Sequence, residues 1–209
     1  MKFLKFKKAL CLSPHPDDVE FGMMGSILKH KETHFDIACL SSGGDFDDTT
    51  GKSRLKEIVG AWQNQPNTTL HFTKPKLIKD LGHDAWVNHI ETLFTNKEEY
   101  DCLFVPTKED SHFEHKAVNE LAFPLTRIKG ISILEYRTPS TLDTWSPNTF
   151  TDITEYFDEK YDKLMLCESQ KDRWYFQKDL LKSFHSNFQS YKKGIKYVEQ
   201  FKTIQLYKT

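Results

Sequence analysis

Residues 8–20 of the chain, KALCLSPHPDDVE, join a short apolar run to a turn of proline, histidine and aspartate. The run from Lys8 to Ser13 has the length and composition of a buried strand, and Gly22 to Lys31 has the pattern of a helix. A strand followed at once by a helix is the first half of a βαβ unit. This stretch therefore predicts an α/β fold with a polar loop at the carboxyl end of its first strand.

The same alternation continues over the first two thirds of the chain. Apolar runs of strand length follow at Phe35 to Ser41, Leu70 to Phe72, Asp101 to Pro106 and Ile131 to Tyr136. Helical spacing separates these runs at 53–63, 84–95 and His115 to Leu121. We therefore expect a Rossmann-like, mostly parallel sheet flanked by helices.

The final third has a different pattern, with aromatic and aliphatic residues at helical spacing. One predicted helical stripe contains Ile153, Phe157, Tyr161, Leu164 and Met165. A second contains Leu181, Phe184, Phe188, Tyr191, Ile195 and Val198. We expect these C-terminal helices to cover the sheet or its active-site edge. No repeat or linker divides the chain, so we expect a single domain over residues 1–209.

Composition excludes several classes of protein. With 38% hydrophobic residues, 28% charged residues and a net charge of −1, the chain is expected to fold without binding nucleic acid or an anionic membrane. The four cysteines form no C-x-x-C pair and are expected to be buried free thiols. The amino terminus lacks the long apolar stretch of a signal peptide or membrane span, so we expect a cytoplasmic protein.

The loop after the first strand carries residues suited to binding a metal. His15 lies between two prolines and is followed by Asp17 and Asp18. An imidazole and a carboxylate held in fixed directions are typical ligands of a divalent metal such as zinc. Neighbouring carboxylates in a turn point in different directions, so one can bind metal while the other faces a water molecule. The alternative is a plain helix N-cap, which adjacent aspartates also favour.

A second polar cluster, Pro106 to His115, follows another predicted strand. In a parallel sheet it emerges at the same edge as the first cluster, where α/β proteins bind their ligands. His112 and His115 are close enough for one to bind metal and the other to contact a substrate. The chain has no H-E-x-x-H motif, which disfavours a metalloprotease helix.

These two stretches resemble the LmbE-like or PIG-L family of zinc-dependent N-acetyl-sugar deacetylases. Further resemblance lies in Arg54-Leu55-Lys56-Glu57, in Thr138-Pro139-Ser140 through Ser169-Gln170, and in Tyr197 to Phe201. The resemblance spans nearly the whole chain, and its P-H-P-D-D core is its specific part. Two departures are Glu114, where the family usually has aspartate, and Met24-Gly25, which replaces a common Gly-Gly pair.

The resemblance implies a role for each matching position. It implies one zinc ion per chain bound by His15, Asp18 and His115. Asp17 corresponds to the general base that activates metal-bound water, and His112 to the histidine that stabilises the oxyanion or protonates the leaving amine. Arg54 lies where the family contacts substrate, although it can equally pair with a carboxylate.

The sequence therefore predicts a hydrolase that removes an acetyl group from a small-molecule amino sugar or sugar conjugate. One alternative is a metal-dependent deformylase or amidase acting on a substrate that is not a sugar. Another is a binding module without catalysis, although a structural zinc would normally have four ligands. Tyr136, Arg137 and Trp145 are candidates for shaping a sugar pocket, and homo-oligomerisation is left open.

Overall fold

The computed structural model describes residues 6–43, 49–72, 82–95, 100–124, 130–191 and 193–207. In these ranges the strands form one sheet of order β3-β2-β1-β4-β5-β7-β6. Its strands are β1 (Lys8–Ser13), β2 (His34–Cys39), β3 (Thr68–Phe72), β4 (Cys102–Pro106), β5 (Ser132–Tyr136), β6 (Thr149–Asp152) and β7 (Val198–Gln205). The first five are paired in parallel, and β7 is antiparallel to both β5 and β6. The prediction of a mostly parallel, Rossmann-like sheet is confirmed.

Helices flank this sheet. They are α1 (Asp18–Lys29), α2 (Thr49–Ala61), α3 (His83–Thr95), α4 (Phe113–Ala122), α5 (Phe157–Leu164), α6 (Lys178–His185) and α7 (Phe188–Tyr191). Among the described residues, no helix has both the length and the apolarity required to cross a bilayer.

Both faces of the sheet are buried, as its central strand illustrates. In β1, Ala9 and Cys11 pack on the side of α1, α2 and α5, whereas Leu10 and Leu12 pack on the side of α3 and α4. Successive side chains of a strand point to opposite faces, so a strand covered on both sides is apolar throughout. This explains the continuous apolar run at the start of the chain. All four cysteines are free and buried.

The second helical stripe was predicted to continue too far. Helix ends at Tyr191, Gly194 adopts a left-handed conformation with φ 76°, and Val198 begins strand β7. The helical interpretation of Ile195 and Val198 is therefore wrong, and strands β6 and β7 were missed. Antiparallel pairing of β7 with β5 and β6 satisfies its backbone, an interaction with distant residues that local spacing does not reveal.

Helix α1 lies unusually close to its neighbours. A Cβ atom added at Gly22 would come within 2.6 Å of the Arg137 carbonyl oxygen, and one at Gly25 within 2.9 Å of the Ile153 side chain. Only a residue without a side chain allows this approach. The close packing leaves most of α1 buried, including Asp18 in its first turn.

A buried ion pair from the C-terminal third holds the middle of α1. Glu199 in β7 accepts hydrogen bonds from the backbone N–H groups of Gly25 (2.8 Å) and Ser26 (2.6 Å). Lys160 in α5 donates to Glu199 (2.6 Å) and to the carbonyl oxygen of Phe21 (2.5 Å). Both charged side chains are 0% exposed. The pair therefore ties α5 and β7 to the helix that begins at Asp18.

We predict that Lys160→Met lowers the free energy of unfolding by about 3–5 kcal/mol, because it leaves the Glu199 carboxylate buried without its cation. Urea unfolding measures the change. The matched control is Lys182→Met, which removes an exposed ion pair with Asp179 and should change the free energy of unfolding by less than about 1 kcal/mol. Equal effects of the two substitutions would contradict a stabilising role for the buried pair.

Candidate active site

The two polar loops meet because strands β1 and β4 are adjacent and parallel. Ala9 pairs with Cys102 and Cys11 with Phe104, so both strands end at the same edge of the sheet. The loop after β1 leads into α1, and the loop after β4 leads into α4. The residues predicted to act in catalysis, metal binding or substrate contact lie in these loops, in the first turn of the helix that follows each loop, or on α2. They are His15, Asp17, Asp18, Arg54, His112 and His115.

The turn after β1 separates its two aspartates. Asp17 has φ 109°, a left-handed conformation that aspartate tolerates better than most residues. Its backbone N–H donates to Glu20 (3.0 Å), which fixes the start of α1. Asp18 instead accepts a hydrogen bond from the backbone N–H of His15 (2.9 Å). As a result, Asp17 and Asp18 have different side-chain partners although they are adjacent in sequence.

Three buried side chains, His15, Asp18 and His115, present potential metal ligands to one another. Asp18 Oδ2 lies 3.2 Å from His15 Nδ1 and 3.4 Å from His115 Nε2. The three ligand atoms lie within 4.8 Å of one another. A tetrahedral zinc with bonds of about 2.0–2.2 Å separates its ligand atoms by about 3.3–3.6 Å.

In each of these two histidines, the ring nitrogen that does not face Asp18 contacts a further carboxylate. Glu114 Oε2 lies 2.5 Å from His15 Nε2, and Asp110 Oδ2 lies 3.0 Å from His115 Nδ1. Asp110 is held in turn by the hydroxyls of Thr138 (2.5 Å) and Ser140 (2.6 Å). Such outer carboxylates fix the ring orientation and tautomer of metal-binding histidines.

Arg54 contacts Asp17, the first aspartate of the turn. Its Nη2 donates to Asp17 Oδ1 (3.1 Å) and to the Pro16 carbonyl oxygen (2.8 Å), and its Nη1 donates to the carbonyl oxygen of Gly43. The other carboxylate oxygen, Asp17 Oδ2, is buried and has no hydrogen-bond partner among the described residues. Asp17 therefore has one oxygen held by a cation and one available to a ligand or water.

His112 lies beside the three ligand-bearing side chains. It is the N-cap of α4, and its Nδ1 accepts a hydrogen bond from the Glu114 backbone N–H (3.3 Å). Its ring stacks on that of His115, with centroids 4.6 Å apart. Because Nδ1 acts as an acceptor, the neutral ring carries its proton on Nε2.

The electrostatics of the site favour positive charge at two of the histidines. Burial alone would lower the pKa of His15, but the hydrogen bonds and charges of Asp18 and Glu114 outweigh it and raise the pKa to about 9. At His115, burial again lowers the pKa, but the charges and hydrogen bonds of Asp18 and Asp110 outweigh this effect and raise the pKa to about 10. Burial and the neighbouring His115 lower the pKa of His112. The carboxylates thus stabilise positive charge between His15 and His115, where a metal ion can replace the protons.

The residues present fit a divalent metal held by His15, Asp18 and His115. The donor set of two imidazoles and one carboxylate suits zinc, and three protein ligands leave a coordination position open. A second group, His15, His112 and Glu114, also brings potential ligand atoms within 4.8 Å of one another. It shares His15 with the first group and includes the half-buried His112, so the fully buried first group is the better site.

A cavity of about 360 Å³ opens onto this cluster. Its lining includes residues of the loops after β1 and β4, of α2 and of the segment between α5 and α6. The residues from that C-terminal segment are Gln170, Arg173 and Tyr175. A cavity of this size is suited to a small-molecule ligand.

Comparison with known proteins assigns the chain to a family. A model of the family described as PIG-L, GlcNAc-PI de-N-acetylase, matches residues 10–125, more than half of the chain. The chain belongs to the PIG-L family. The matched residues contain both polar loops and Arg54.

Individual relatives of this PIG-L domain are distant. The uncharacterised deacetylase YaiS of Escherichia coli K12 is 26% identical over 169 residues, which cover 75% of this chain and 88% of the relative. The N,N'-diacetylchitobiose deacetylase of Pyrococcus horikoshii has a similar structure, with a TM-score of 0.77, 23% identity and coverage of 95% and 84% of the two chains. The 4-carboxy-2-hydroxymuconate hydratase GalB of Pseudomonas putida KT2440 has a TM-score of 0.80, 17% identity and coverage of 97% and 98%. The same fold thus accommodates more than one kind of reaction.

Several residues around the PIG-L site were not found from the sequence. Asp110 lies in the second polar cluster, but the sequence pattern indicates no role for it, nor for Arg173 and Tyr175, which line the cavity. Tyr136 was a candidate for the sugar pocket, but it is fully buried and its hydroxyl donates to the Leu12 carbonyl oxygen (2.8 Å). Trp145 is also buried and does not line the cavity. Local sequence carries no signal for contacts between such distant segments.

We predict that Arg54→Met raises the pKa of Asp17 in the metal-free protein. Burial raises the pKa of the Asp17 carboxyl to about 6, and the positive charge of Arg54 opposes this rise. Removing that charge should therefore move the pKa above 6. Titration of the side-chain carboxyl carbon by NMR, in chelator-treated protein, measures the shift. Lys182→Met removes a charge elsewhere and should leave the Asp17 pKa unchanged. A fall in the pKa of Arg54→Met would refute the assigned interaction.

Proposed function

We propose that this chain is a metal-dependent hydrolase that removes an N-acetyl group from an amino sugar or sugar conjugate. In this proposal one zinc ion is held by His15, Asp18 and His115. The observation that carries it is the arrangement of three buried ligand atoms, with an outer carboxylate on each histidine. Membership of a family of de-N-acetylases and similarity to a deacetylase from Escherichia coli support the reaction class.

Asp17 is proposed as the general base. When bound, zinc would polarise the amide carbonyl and make a nearby water more acidic, to a pKa of about 7. Asp17 Oδ2 would accept a proton from the attacking water as the water oxygen bonds to the acetyl carbon. In the metal-free protein, burial raises the Asp17 pKa to about 6, so the carboxyl group is ionised and able to accept a proton near neutral pH. When the C–N bond breaks, Asp17 would return that proton to the leaving nitrogen.

His112 is proposed to stabilise the oxyanion. Its lowered pKa keeps the ring neutral at pH 7, and the hydrogen bond to Nδ1 leaves the Nε2–H available as a donor. A fixed donor at the developing negative charge contributes more in a desolvated site than in water. Arg54 would hold Asp17 Oδ1, so that Oδ2 is the oxygen that accepts the proton.

The first prediction from this proposal is release of acetate. Incubation with N-acetylglucosamine derivatives, free and conjugated to nucleotide or lipid, should release acetate from at least one of them. A chelator should abolish the release, and added zinc should restore it. The measurement is enzymatic quantification of acetate over time. His115→Ala, which removes one proposed ligand, is the matched negative control and should also lose its metal by elemental analysis.

Two other results would redirect the proposal. Cleavage of formyl or other acyl amides without any acetate from sugars would favour a deformylase or amidase with a non-sugar substrate. Full metal retention with no amide hydrolysis at all would favour a binding module, or a hydration reaction such as that named for the GalB structure.

The neighbouring aspartates provide a second prediction. Asp17→Asn removes the proton acceptor and should lower turnover by about 10²–10⁴-fold while metal content stays normal. Asp18→Asn replaces an anionic ligand with a weaker neutral one and should lower metal affinity first. Activity measured against added zinc or cobalt distinguishes the two. Excess metal should partly rescue Asp18→Asn, whereas Asp17→Asn should not respond. Rescue of Asp17→Asn alone would show that the two roles are reversed.

A further inference from the structure

The proposed base has a backbone conformation that requires support from its surroundings. Asp17 has φ 109° and ψ −18°, and among the described residues other than glycine only Asn64 also has a positive φ. A side chain makes this conformation unfavourable, so it persists only where neighbouring groups hold it. The conformation matters for the proposed reaction, because the backbone of Asp17 determines where its carboxylate lies.

The buried carboxylate of Glu20 holds this backbone. Glu20 lies in the first turn of α1 and is 1% exposed. Its Oε2 accepts a hydrogen bond from the Asp17 backbone N–H (3.0 Å), and its Oε1 accepts one from Trp62 Nε1. A buried carboxylate is costly unless donors satisfy its oxygens. The two N–H groups therefore fix Glu20 in place, and Glu20 in turn holds the backbone of Asp17.

Trp62 connects this carboxylate to α2. It directly follows the last residue of that helix and is buried in the hydrophobic core on the α1 side of the sheet. Its indole ring has one donor, and Glu20 accepts it. Arg54, in the same helix, donates to Asp17 Oδ1. The α2 segment therefore holds the carboxylate of Asp17 directly through Arg54, and the backbone of Asp17 indirectly through Trp62.

We infer that Trp62 is a positioning residue for the proposed base and acts through Glu20 on the backbone of Asp17. Neither Trp62 nor Glu20 is among the described residues that line the cavity, so neither contacts the substrate. A small displacement of a reacting group can cost about 10²-fold in rate, so support of this kind has a measurable effect. The inference rests on the proposed function, in which Asp17 is the base.

The test uses two substitutions that break the same chain of contacts. Trp62→Phe removes the indole N–H. Glu20→Gln is nearly isosteric but replaces one acceptor oxygen with a donor nitrogen, so the side chain can no longer accept from both N–H groups. The matched control is Trp145→Phe, at a buried tryptophan whose Nε1 has no partner among the described residues and which does not line the cavity.

Three quantities are measured for each variant and for the double variant of Trp62 and Glu20. They are kcat and KM for acetate release from N-acetylglucosamine derivatives, metal content, and hydrogen exchange of the Asp17 backbone N–H by NMR. Trp62→Phe and Glu20→Gln should each lower kcat by about 10–100-fold, with KM and metal content unchanged and faster exchange at Asp17. The double variant should lose less than the product of the two single losses, because both act on one contact. Trp145→Phe should match wild type.

Several outcomes would overturn the inference while the proposed function stands. They are a normal kcat or normal Asp17 exchange in Trp62→Phe, a loss of metal that accompanies the loss of kcat, and single losses that multiply in the double variant. If Trp62→Phe does not fold, Glu20→Gln is held to the same kcat and exchange criteria. Absence of acetate release by wild type from every derivative would instead overturn the proposed function, and with it the role of Asp17 that this inference extends.

Discussion

The parallel pairing of β1 with β4 is the constraint on which the candidate site depends. The chain between these strands includes two further strands and three helices, yet the pairing of Cys11 with Phe104 brings their carboxyl ends together. His15 and Asp18 follow one strand, and His115 follows the other. Among the described residues, each group of three potential ligand atoms that lie within 4.8 Å of one another combines side chains from both segments. A shift of one strand against the other by a single residue would move these side chains by about 3.3 Å and destroy the spacing.

Pairing of opposite charges allows these polar side chains to be buried together in the core. Asp18, Glu114 and Asp110 are buried carboxylates, and each lies against a histidine that also contacts the centre of the cluster. Buried carboxylates without a cation would be strongly destabilising. In the metal-free chain, protonated His15 and His115 provide the positive charge, as their raised pKa values indicate. The same groups that would orient a metal therefore also stabilise the protein before a metal binds.

Local patterns were sufficient to place the candidate ligands at one edge of the sheet but not to predict their surroundings. Strand β1 was predicted with its observed bounds because burial on both faces makes its sequence uniformly apolar. The P-H-P-D-D turn directly follows it, so its residues were placed correctly at the sheet edge. Strand β7 was missed because its identity depends on pairing with β5 and β6 rather than on spacing. Likewise, the contact of Asp110 with His115 and the position of Gln170 depend on folding that brings distant segments together.

The C-terminal third, which the family match leaves out, has two separate effects on the site. Glu199, paired with Lys160, binds the backbone of α1 at Gly25, and Asp18 lies at the start of that helix. Gln170 instead lines the cavity and is anchored through Ser169 to Glu57 of α2. The first contact restrains the helix that carries a proposed ligand, whereas the second connects the cavity lining to α2.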